Sequence, residues 1–257
     1  MKIAVSGKGG VGKTTFSALL TRTLDARGMK VLAIDADPDA NLAGAIGIAG
    51  ADKIVPIAEM KELIYERTEA KPGSIGSFFK LNPKVDDLPD ALSARLNNIK
   101  LMRLGGVKKG GAGCICPESQ LLKVLMSHVI LARNEVVVMD MEAGIEHLGR
   151  GTAQAVNRLV VVVEPGRRSI ETALHVKELA AQIRLTRLSV VGNKVRGEKD
   201  EAFLRENLPG FDILGFLPYD ETLIEADLAG KSPFDTASPA KAAVEKMTDL
   251  LMGDGKE

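Results

Sequence analysis

The glycine-rich stretch SGKGGVGKTT, residues 6–15, constrains the fold of this chain more than any other feature of its sequence. A short run typical of a strand, Lys2–Ser6, precedes it, and a helical pattern over residues 14–27 follows it. Glycines let backbone N–H groups curl around an anion without side-chain clashes, and the helix adds its positive N-terminal end. A strand, a glycine loop and a helix in this order predict a phosphate-binding loop for a nucleoside triphosphate.

The two lysines of this loop have different expected roles. Lys13 directly precedes two threonines, and we expect it to hold the β- and γ-phosphate oxygens while the Thr14 hydroxyl ligates Mg²⁺. Lys8 lies among the glycines and has no obvious task within a single chain. The loop residues expected to contact the nucleotide are Gly7, Lys8, Gly9, Gly10, Val11, Gly12, Lys13, Thr14 and Thr15.

Short β-branched runs alternate with longer helical patterns, and several runs are apolar throughout, as in strands covered on both faces. The predicted strands are Lys2–Ser6, Lys30–Asp35, Ile99–Leu104, Glu135–Asp140, Arg158–Val163, Leu188–Asn193 and Ile213–Leu217. The predicted helices lie near residues 14–27, 57–68, 118–132, 167–183, 198–207 and 238–252. This alternation predicts an α/β fold with a doubly wound, mostly parallel sheet of about seven strands.

Residues 1–257 are expected to form a single domain, with an irregular, proline-containing insertion at about residues 49–98. Lysine plus arginine and aspartate plus glutamate each number 34, so no basic excess favours nucleic acid or an anionic membrane as a partner. No apolar run approaches the roughly 20 residues of a membrane span, and the N-terminal residues lack a signal-peptide pattern. We therefore expect a cytoplasmic protein.

Two carboxylates are expected to complete the phosphate site. The segment Asp35–Asp39 closes the second predicted strand, at the sheet edge where the phosphate loop lies. Within it, Asp37 is expected to orient water for attack, and Asp39 is interpreted as a helix cap. Asp140 ends an apolar strand, which matches the pattern of a Walker B carboxylate.

The loop resembles the deviant Walker A motif of the family that includes MinD, ParA, the arsenite-pump ATPases and the nitrogenase iron protein. Its pattern Lys-Gly-Gly-x-Gly-Lys-Thr covers Lys8–Thr14, and Asp35–Asp39 and Asp140–Gly144 are similar to the switch I and switch II segments of that family. The resemblance implies a P-loop NTPase that hydrolyses ATP as a homodimer. It also implies that Lys8 crosses to the phosphates of the partner and acts in catalysis with Lys13, Asp37 and Asp140.

Two later segments resemble the adenine-binding elements of the same family. Asn193 and Lys194 end a predicted strand, and Pro218, Tyr219 and Asp220 follow the last one. The resemblance implies that these residues contact the base. Residue chemistry alone leaves a simpler interpretation open, in which Asn193 caps a strand end and Pro218 is a turn residue.

The chain contains two cysteines, Cys114 and Cys116, just before a predicted helix that starts near Pro117. In extended backbone both thiols point to one face and can approach one ion. A site with four ligands needs two more thiolates, which a two-fold dimer supplies from the same positions. The alternatives are a redox pair or two small residues without a special role.

A central Cys-x-Cys within this family resembles the nickel-insertion ATPases of the CooC type. The stretches DMEAGIEHLGRG (140–151), VEPGRRSI (163–170) and LPYD (217–220) are also similar to that subgroup. The resemblance implies binding of ATP/ADP and Mg²⁺, and Ni²⁺ (with Zn²⁺ as a substitute) at Cys114 and Cys116 of both subunits. It implies a homodimer formed on ATP or metal binding, and apo carbon monoxide dehydrogenase or acetyl-CoA synthase as the client.

Two other functions remain open at the level of sequence. A positioning ATPase like MinD or ParA would need a basic surface or tail, and this neutral chain ends in Gly-Asp-Gly-Lys-Glu. A dimeric reductase could hold an iron–sulfur cluster between four cysteines, although Cys-x-Cys is an unusual spacing for a bridging cluster. His147, close to the switch II segment, is interpreted as a helix-surface histidine.

Overall fold

The computed structural model describes residues 1–71, 78–105, 116–132, 135–145 and 156–253. Within these ranges the strands form one sheet. They are β1 (Lys2–Ser6), β2 (Val31–Asp35), β3 (Ala94–Leu96), β4 (Ile99–Arg103), β5 (Val136–Asp140), β6 (Arg158–Val163), β7 (Leu188–Val195) and β8 (Asp212–Pro218).

The strand order is β3-β4-β2-β5-β1-β6-β7-β8, and every neighbouring pair is parallel except β3 and β4. The predicted doubly wound, mostly parallel sheet is therefore confirmed, with eight strands in the described residues instead of about seven. The extra strand, β3, lies inside the region expected to be irregular. It has only three residues, and the turn that joins it to β4 places Asn97 at φ 50°, a left-handed conformation that asparagine tolerates.

The predicted helices are present within a few residues of their expected bounds, and the described residues also contain three short helices that were not predicted: Leu42–Ile46, Leu88–Ala91 and Glu221–Leu228. The helices are α1 (Lys13–Ala26), α2 (Leu42–Ile46), α3 (Lys61–Thr68), α4 (Leu88–Ala91), α5 (Pro117–Ala132), α6 (Arg167–Gln182), α7 (Glu198–Asn207), α8 (Glu221–Leu228) and α9 (Pro239–Gly253). Single 3₁₀ turns occur at Ala51–Lys53, Ile57–Glu59 and Pro233–Asp235. None of the helices in the described ranges combines the length and the apolar character needed to cross a bilayer.

Helices cover both faces of the sheet and bury two apolar clusters. On one face, α1, α2 and α9 pack over side chains such as Val5 and Val138, with Phe16 from α1 fully buried among them. On the other, α3, α5, α6 and α7 pack over residues such as Met139, with Leu125 from α5. Because β1 lies between β5 and β6, the chain winds away from it in both directions, and a crevice opens at the carboxyl end of β1. The glycine loop lies in this crevice.

Candidate nucleotide-binding site

Two glycines of the loop occupy positions where a side chain would be strained. Gly7 has φ 144°, and a Cβ there would lie 2.3 Å from the carbonyl oxygen of Val162 on β6. Gly12 has φ 94°, and a Cβ there would lie 2.2 Å from Nδ2 of Asn193 on β7. Both backbone conformations are ones that L side chains rarely adopt. The close approach of β6 and β7 therefore fixes the shape of the loop, and α1 begins at Lys13 immediately after it.

Two side chains from β7 hold the loop in place. The buried amide of Asn193 donates from Nδ2 to the carbonyl oxygen of Val11 at 2.7 Å. Lys194, at φ 57°, donates from Nζ to the carbonyl oxygen of Gly10 at 2.7 Å and pairs with Oε2 of Glu164 at 3.0 Å. The two residues predicted near the base thus also contact the loop. The sequence placed Glu164 in the stretch VEPGRRSI (163–170), which resembles the CooC type, but it did not predict this ion pair.

Asp140 lies at the end of β5 with both carboxylate oxygens engaged. Thr14 Oγ1 donates to Oδ2 at 2.6 Å, and Ser17 Oγ donates to Oδ1 at 3.2 Å. Burial raises the pKa of Asp140 to about 6, although the Thr14 and Ser17 hydroxyls and the Lys13 ammonium oppose this shift. Sequence reasoning missed Ser17, whose signal is its position one helical turn after Thr14 on the same face of α1.

Asp37 and Lys13 approach each other beside this pair. Lys13 Nζ lies 3.9 Å from Asp37 Oδ2, and the Lys13 side chain is almost fully buried. Asp37 retains 21% of its side-chain exposure, so its carboxylate remains accessible at the edge of the site. The structure therefore brings together Lys13, Thr14, Asp37 and Asp140, which the sequence predicted as one group.

The carboxylate that organises the segment before α2 belongs to Asp35. Its Oδ2 accepts from the Leu42 N–H at 2.9 Å, and its Oδ1 accepts from the Asp37 N–H at 3.4 Å. Burial raises the pKa of Asp35 to about 7; the two N–H donors oppose the shift, and the neighbouring Asp140 adds to it. The interpretation of Asp39 as a helix cap is wrong, because α2 begins only at Leu42 and Asp35 binds its first N–H.

The segment after β5 is held by the end of β1. The Ser6 hydroxyl lies 3.0 Å from the carbonyl oxygens of both Glu142 and Gly144, and the Met141 N–H donates to the carbonyl oxygen of Val5 at 2.9 Å. These contacts place the first residues of the predicted switch II next to the glycine loop. His147 and the rest of the stretch up to residue 151 lie outside the described residues.

A cavity of about 540 Å³ connects the glycine loop to the segment after β8. The loop and the start of α1 form one end, Asn193 and Lys194 one side, and α2 and α8 the opposite walls. Pro218, Tyr219 and Asp220 also line it. Its volume and its position along the carboxyl edge of the sheet are typical of a nucleotide site.

Asp220 also has a structural task. Its Oδ1 accepts from the N–H of Thr222 at 2.9 Å and from the hydroxyl of the same residue at 2.7 Å, which caps α8. Ser238 donates to the other oxygen. Partial burial raises the pKa of Asp220, but the hydrogen bonds from Ser238 and Thr222 outweigh it and leave the pKa below its usual value.

Cys116 lies one residue before α5, and its Sγ is 3.1 Å from the Ser119 hydroxyl. Since α5 leads into β5, which ends at Asp140, the start of α5 lies at the carboxyl edge of the sheet. Cys114 lies outside the described residues. In the described ranges, no group of three or more histidine, cysteine, aspartate or glutamate side chains is arranged to hold a metal ion.

Lys8 differs from Lys13 in its surroundings. Its side chain is partly buried on the loop, and within the described part of the chain its ammonium group has no hydrogen-bond or ion-pair partner. Lys13, in contrast, points to Asp37. Among the described residues, the structure therefore shows no contact that gives the Lys8 ammonium group a role within its own chain, as the sequence predicted.

A glycine loop that opens a helix with Lys13 and Thr14, beside a buried aspartate at the end of a neighbouring parallel strand, defines a P-loop nucleotide-binding protein. Residues 2–234 match the family model described as the CobQ/CobB/MinD/ParA nucleotide binding domain. The chain belongs to this family, as its glycine loop predicted.

Among the relatives that match almost the whole chain, two are more than 40% identical to it. An ATP-binding protein of Methanocaldococcus jannaschii is 45% identical over 255 residues, which is 98% of each chain. The carbon monoxide dehydrogenase accessory protein CooC of Rhodospirillum rubrum is 46% identical over 242 residues, 93% of this chain and 91% of that one. The predicted resemblance to the CooC type is thus confirmed. Among solved structures, MinD of Pyrococcus horikoshii complexed with Mg-ADP has a TM-score of 0.69, covers 100% of this chain and 97% of that one, and at 19% identity supports the fold alone.

Proposed function

We propose that this protein is an ATP-dependent nickel-binding maturation factor that hydrolyses ATP as a homodimer. Its client is apo carbon monoxide dehydrogenase or the related acetyl-CoA synthase. The observation that carries the proposal is the 46% identity to a carbon monoxide dehydrogenase accessory protein over nearly the full length of both chains. The position of Cys116 at the same sheet edge as the phosphate loop supports it independently of that relative.

The geometry of the cavity supports ATP with Mg²⁺ as its ligand. Glycine-loop N–H groups and the start of α1 lie at one end, where phosphates would bind, and Asn193, Lys194, Pro218, Tyr219 and Asp220 lie along the rest, where the base would bind. Thr14 and Asp140 present adjacent oxygen ligands, the type that Mg²⁺ prefers. When bound there, Mg²⁺ would supply positive charge against the phosphate oxygens.

Hydrolysis is assigned to four side chains. Lys13, buried at the base of the loop, stabilises negative charge on the transferring phosphoryl group. Asp37, the more accessible carboxylate, orients the attacking water, and Asp140 holds Thr14. Lys8 acts on the phosphates of the partner subunit, which is consistent with its lack of a partner among the described residues of its own chain.

Nickel is the cargo of the dimer. Cys114 and Cys116 from each of two chains provide four thiolates, a donor set that suits Ni²⁺ and also accepts Zn²⁺. Since switch II and the start of α5 both lie at the carboxyl edge, nucleotide hydrolysis and metal release are coupled through one face of each chain.

A metal titration tests this function. Purified protein should bind about half an equivalent of Ni²⁺ per chain if four thiolates share one ion. Cys114→Ser and Cys116→Ser should each abolish nickel binding while ATP binding is retained. Ser119→Ala is the matched control, because it keeps both thiols and removes only the hydroxyl group that contacts Cys116. This variant should bind nickel like the parent. Nickel binding by the two cysteine variants at the parental level would refute the metal role.

A further inference from the structure

Asp35 is a buried carboxylate for which the proposed chemistry has no direct use. Its side chain is 1% exposed, and it is not among the residues that line the nucleotide cavity. A buried carboxylate is costly unless hydrogen bonds satisfy it. Both oxygens of Asp35 accept backbone N–H groups, from Asp37 at 3.4 Å and from Leu42 at 2.9 Å.

These two bonds span the segment between β2 and α2. One donor lies two residues after Asp35, and the other is the first residue of α2, whose N–H has no acceptor within the helix. A single side chain therefore fixes both ends of the loop that carries Asp37. Asn41, the residue before α2, makes no side-chain cap, so Asp35 supplies the side-chain bond at this end of the helix.

The backbone of Asp35 is anchored in the sheet. Its carbonyl oxygen accepts from the Leu104 N–H at 2.9 Å, and the next N–H, of Ala36, donates to the carbonyl oxygen of Asp140 at 2.9 Å. Asp35 is also in register with Asp140 on β5 and with Arg103 on β4. The position that holds the loop is thus as rigid as the sheet.

We propose that Asp35 is a positioning residue for hydrolysis, which sets the place of Asp37 through these two backbone bonds. This inference rests on the proposed ATPase function. Because the phosphate contacts lie on the glycine loop and Asp35 lies outside the cavity, its removal should lower kcat with little effect on nucleotide affinity. Asp35 itself does not orient water, since both of its oxygens are engaged and buried.

Asp35→Asn tests the proposal, with Asp25→Asn as the matched control. Asp25 is also a buried carboxylate with two hydrogen bonds, from Asn97 Nδ2 and the Asn98 N–H, both at 3.1 Å. It holds the β3–β4 turn at the opposite edge of the sheet. We expect Asp35→Asn to lower kcat at least tenfold with KM for Mg-ATP within twofold of the parent, and Asp25→Asn to leave both unchanged.

Hydrogen exchange supplies a readout that does not need hydrolysis. In the parent protein the Leu42 amide should be protected, although a first-turn amide ordinarily is not. In Asp35→Asn, peptides covering residues 36–46 should exchange at least tenfold faster, with the rest of the sheet unchanged. A parental kcat in Asp35→Asn, or an unprotected Leu42 amide in the parent, would overturn the positioning role. A parent without ATPase activity would instead overturn the proposed function, and the exchange measurement would still decide whether Asp35 holds the loop.

Discussion

Thr14 and Asp140 lie 126 positions apart in the sequence and are joined by a hydrogen bond of 2.6 Å between Oγ1 and Oδ2. One opens the helix after the glycine loop, and the other closes the neighbouring strand β5. This bond links the phosphate loop to the start of the predicted switch II.

Removing either partner of this bond should reduce hydrolysis. For Thr14→Ala or Asp140→Asn, we expect kcat to fall by roughly 10²-fold or more. Thr14→Ala removes an oxygen ligand from the phosphate site, and Asp140→Asn removes a negative charge there. A steady-state phosphate-release assay measures the loss. Ser17→Ala removes the other donor to Asp140, at 3.2 Å, without touching the proposed Mg²⁺ ligands. A loss in Ser17→Ala as large as that in Thr14→Ala would argue against the assignment of Thr14.

Lys8 can be tested by mixing two inactive variants. Lys8→Ala should retain nucleotide binding and lose hydrolysis, because its own loop keeps Lys13. Lys13→Ala should lose tight binding at its own site but still offer Lys8 to a partner. Mixed dimers then contain one complete site, and activity should return on mixing to about one quarter of the parental rate per chain if chains pair at random and each site acts alone. Mixtures that stay inactive while dimers form would exclude action across the interface.

The glycine loop provides a stability test. Gly12→Ala places a Cβ 2.2 Å from Asn193 Nδ2 at a positive φ, whereas a Cβ at Gly9 meets nothing within 4 Å. We expect Gly12→Ala to lose about 2 kcal/mol or more of stability, roughly 4–8 °C in Tm, and Gly9→Ala to melt like the parent. Calorimetry without nucleotide measures both. Equal melting temperatures for the two variants would contradict the close approach of β7 to the loop.

The buried pair Asp35 and Asp140 predicts a pH dependence of stability. Burial raises their pKa values to about 7 and about 6, from 3.8 in the unfolded chain, so the folded protein holds these protons more tightly. The contribution of the two carboxyls to the free energy of unfolding is complete below their pKa in the unfolded chain. It is lost as the pH rises through their pKa values in the folded protein. In chelator and without nucleotide, the free energy of unfolding should fall by up to about 4 kcal/mol between about pH 5 and pH 8 on their account.

Urea unfolding across this range measures the slope. Asp35→Asn should flatten it, because the variant side chain does not titrate. Asp25→Asn keeps both site carboxyls and should retain the parental slope. If Asp35→Asn and the parent lose stability in parallel, the slope comes from other groups.

The sequence predicted the sheet, the glycine loop and the grouping of Lys13, Thr14, Asp37 and Asp140, because each follows from a local pattern at the end of a strand. The role of Asp35 was not predictable in this way. Its bonds depend on where α2 begins, and α2 is a five-residue helix without a strong periodicity. Asp39 was misinterpreted for the same reason. The edge strand β3 escaped prediction because three partly exposed residues give too little alternation to identify a strand.

The bonds from Asn193 and Lys194 to the glycine loop have a consequence for biosynthesis. The motif that defines the nucleotide site leaves the ribosome well before Asn193 and Lys194, because these side chains, which hold Val11 and Gly10, are more than 180 residues downstream. A nascent chain that has not reached β7 lacks these supports, and neighbouring β6 and β7 must already be paired to shape the loop. We therefore expect nucleotide capture to be a late event in synthesis, which reports that the sheet has been assembled across both of its halves.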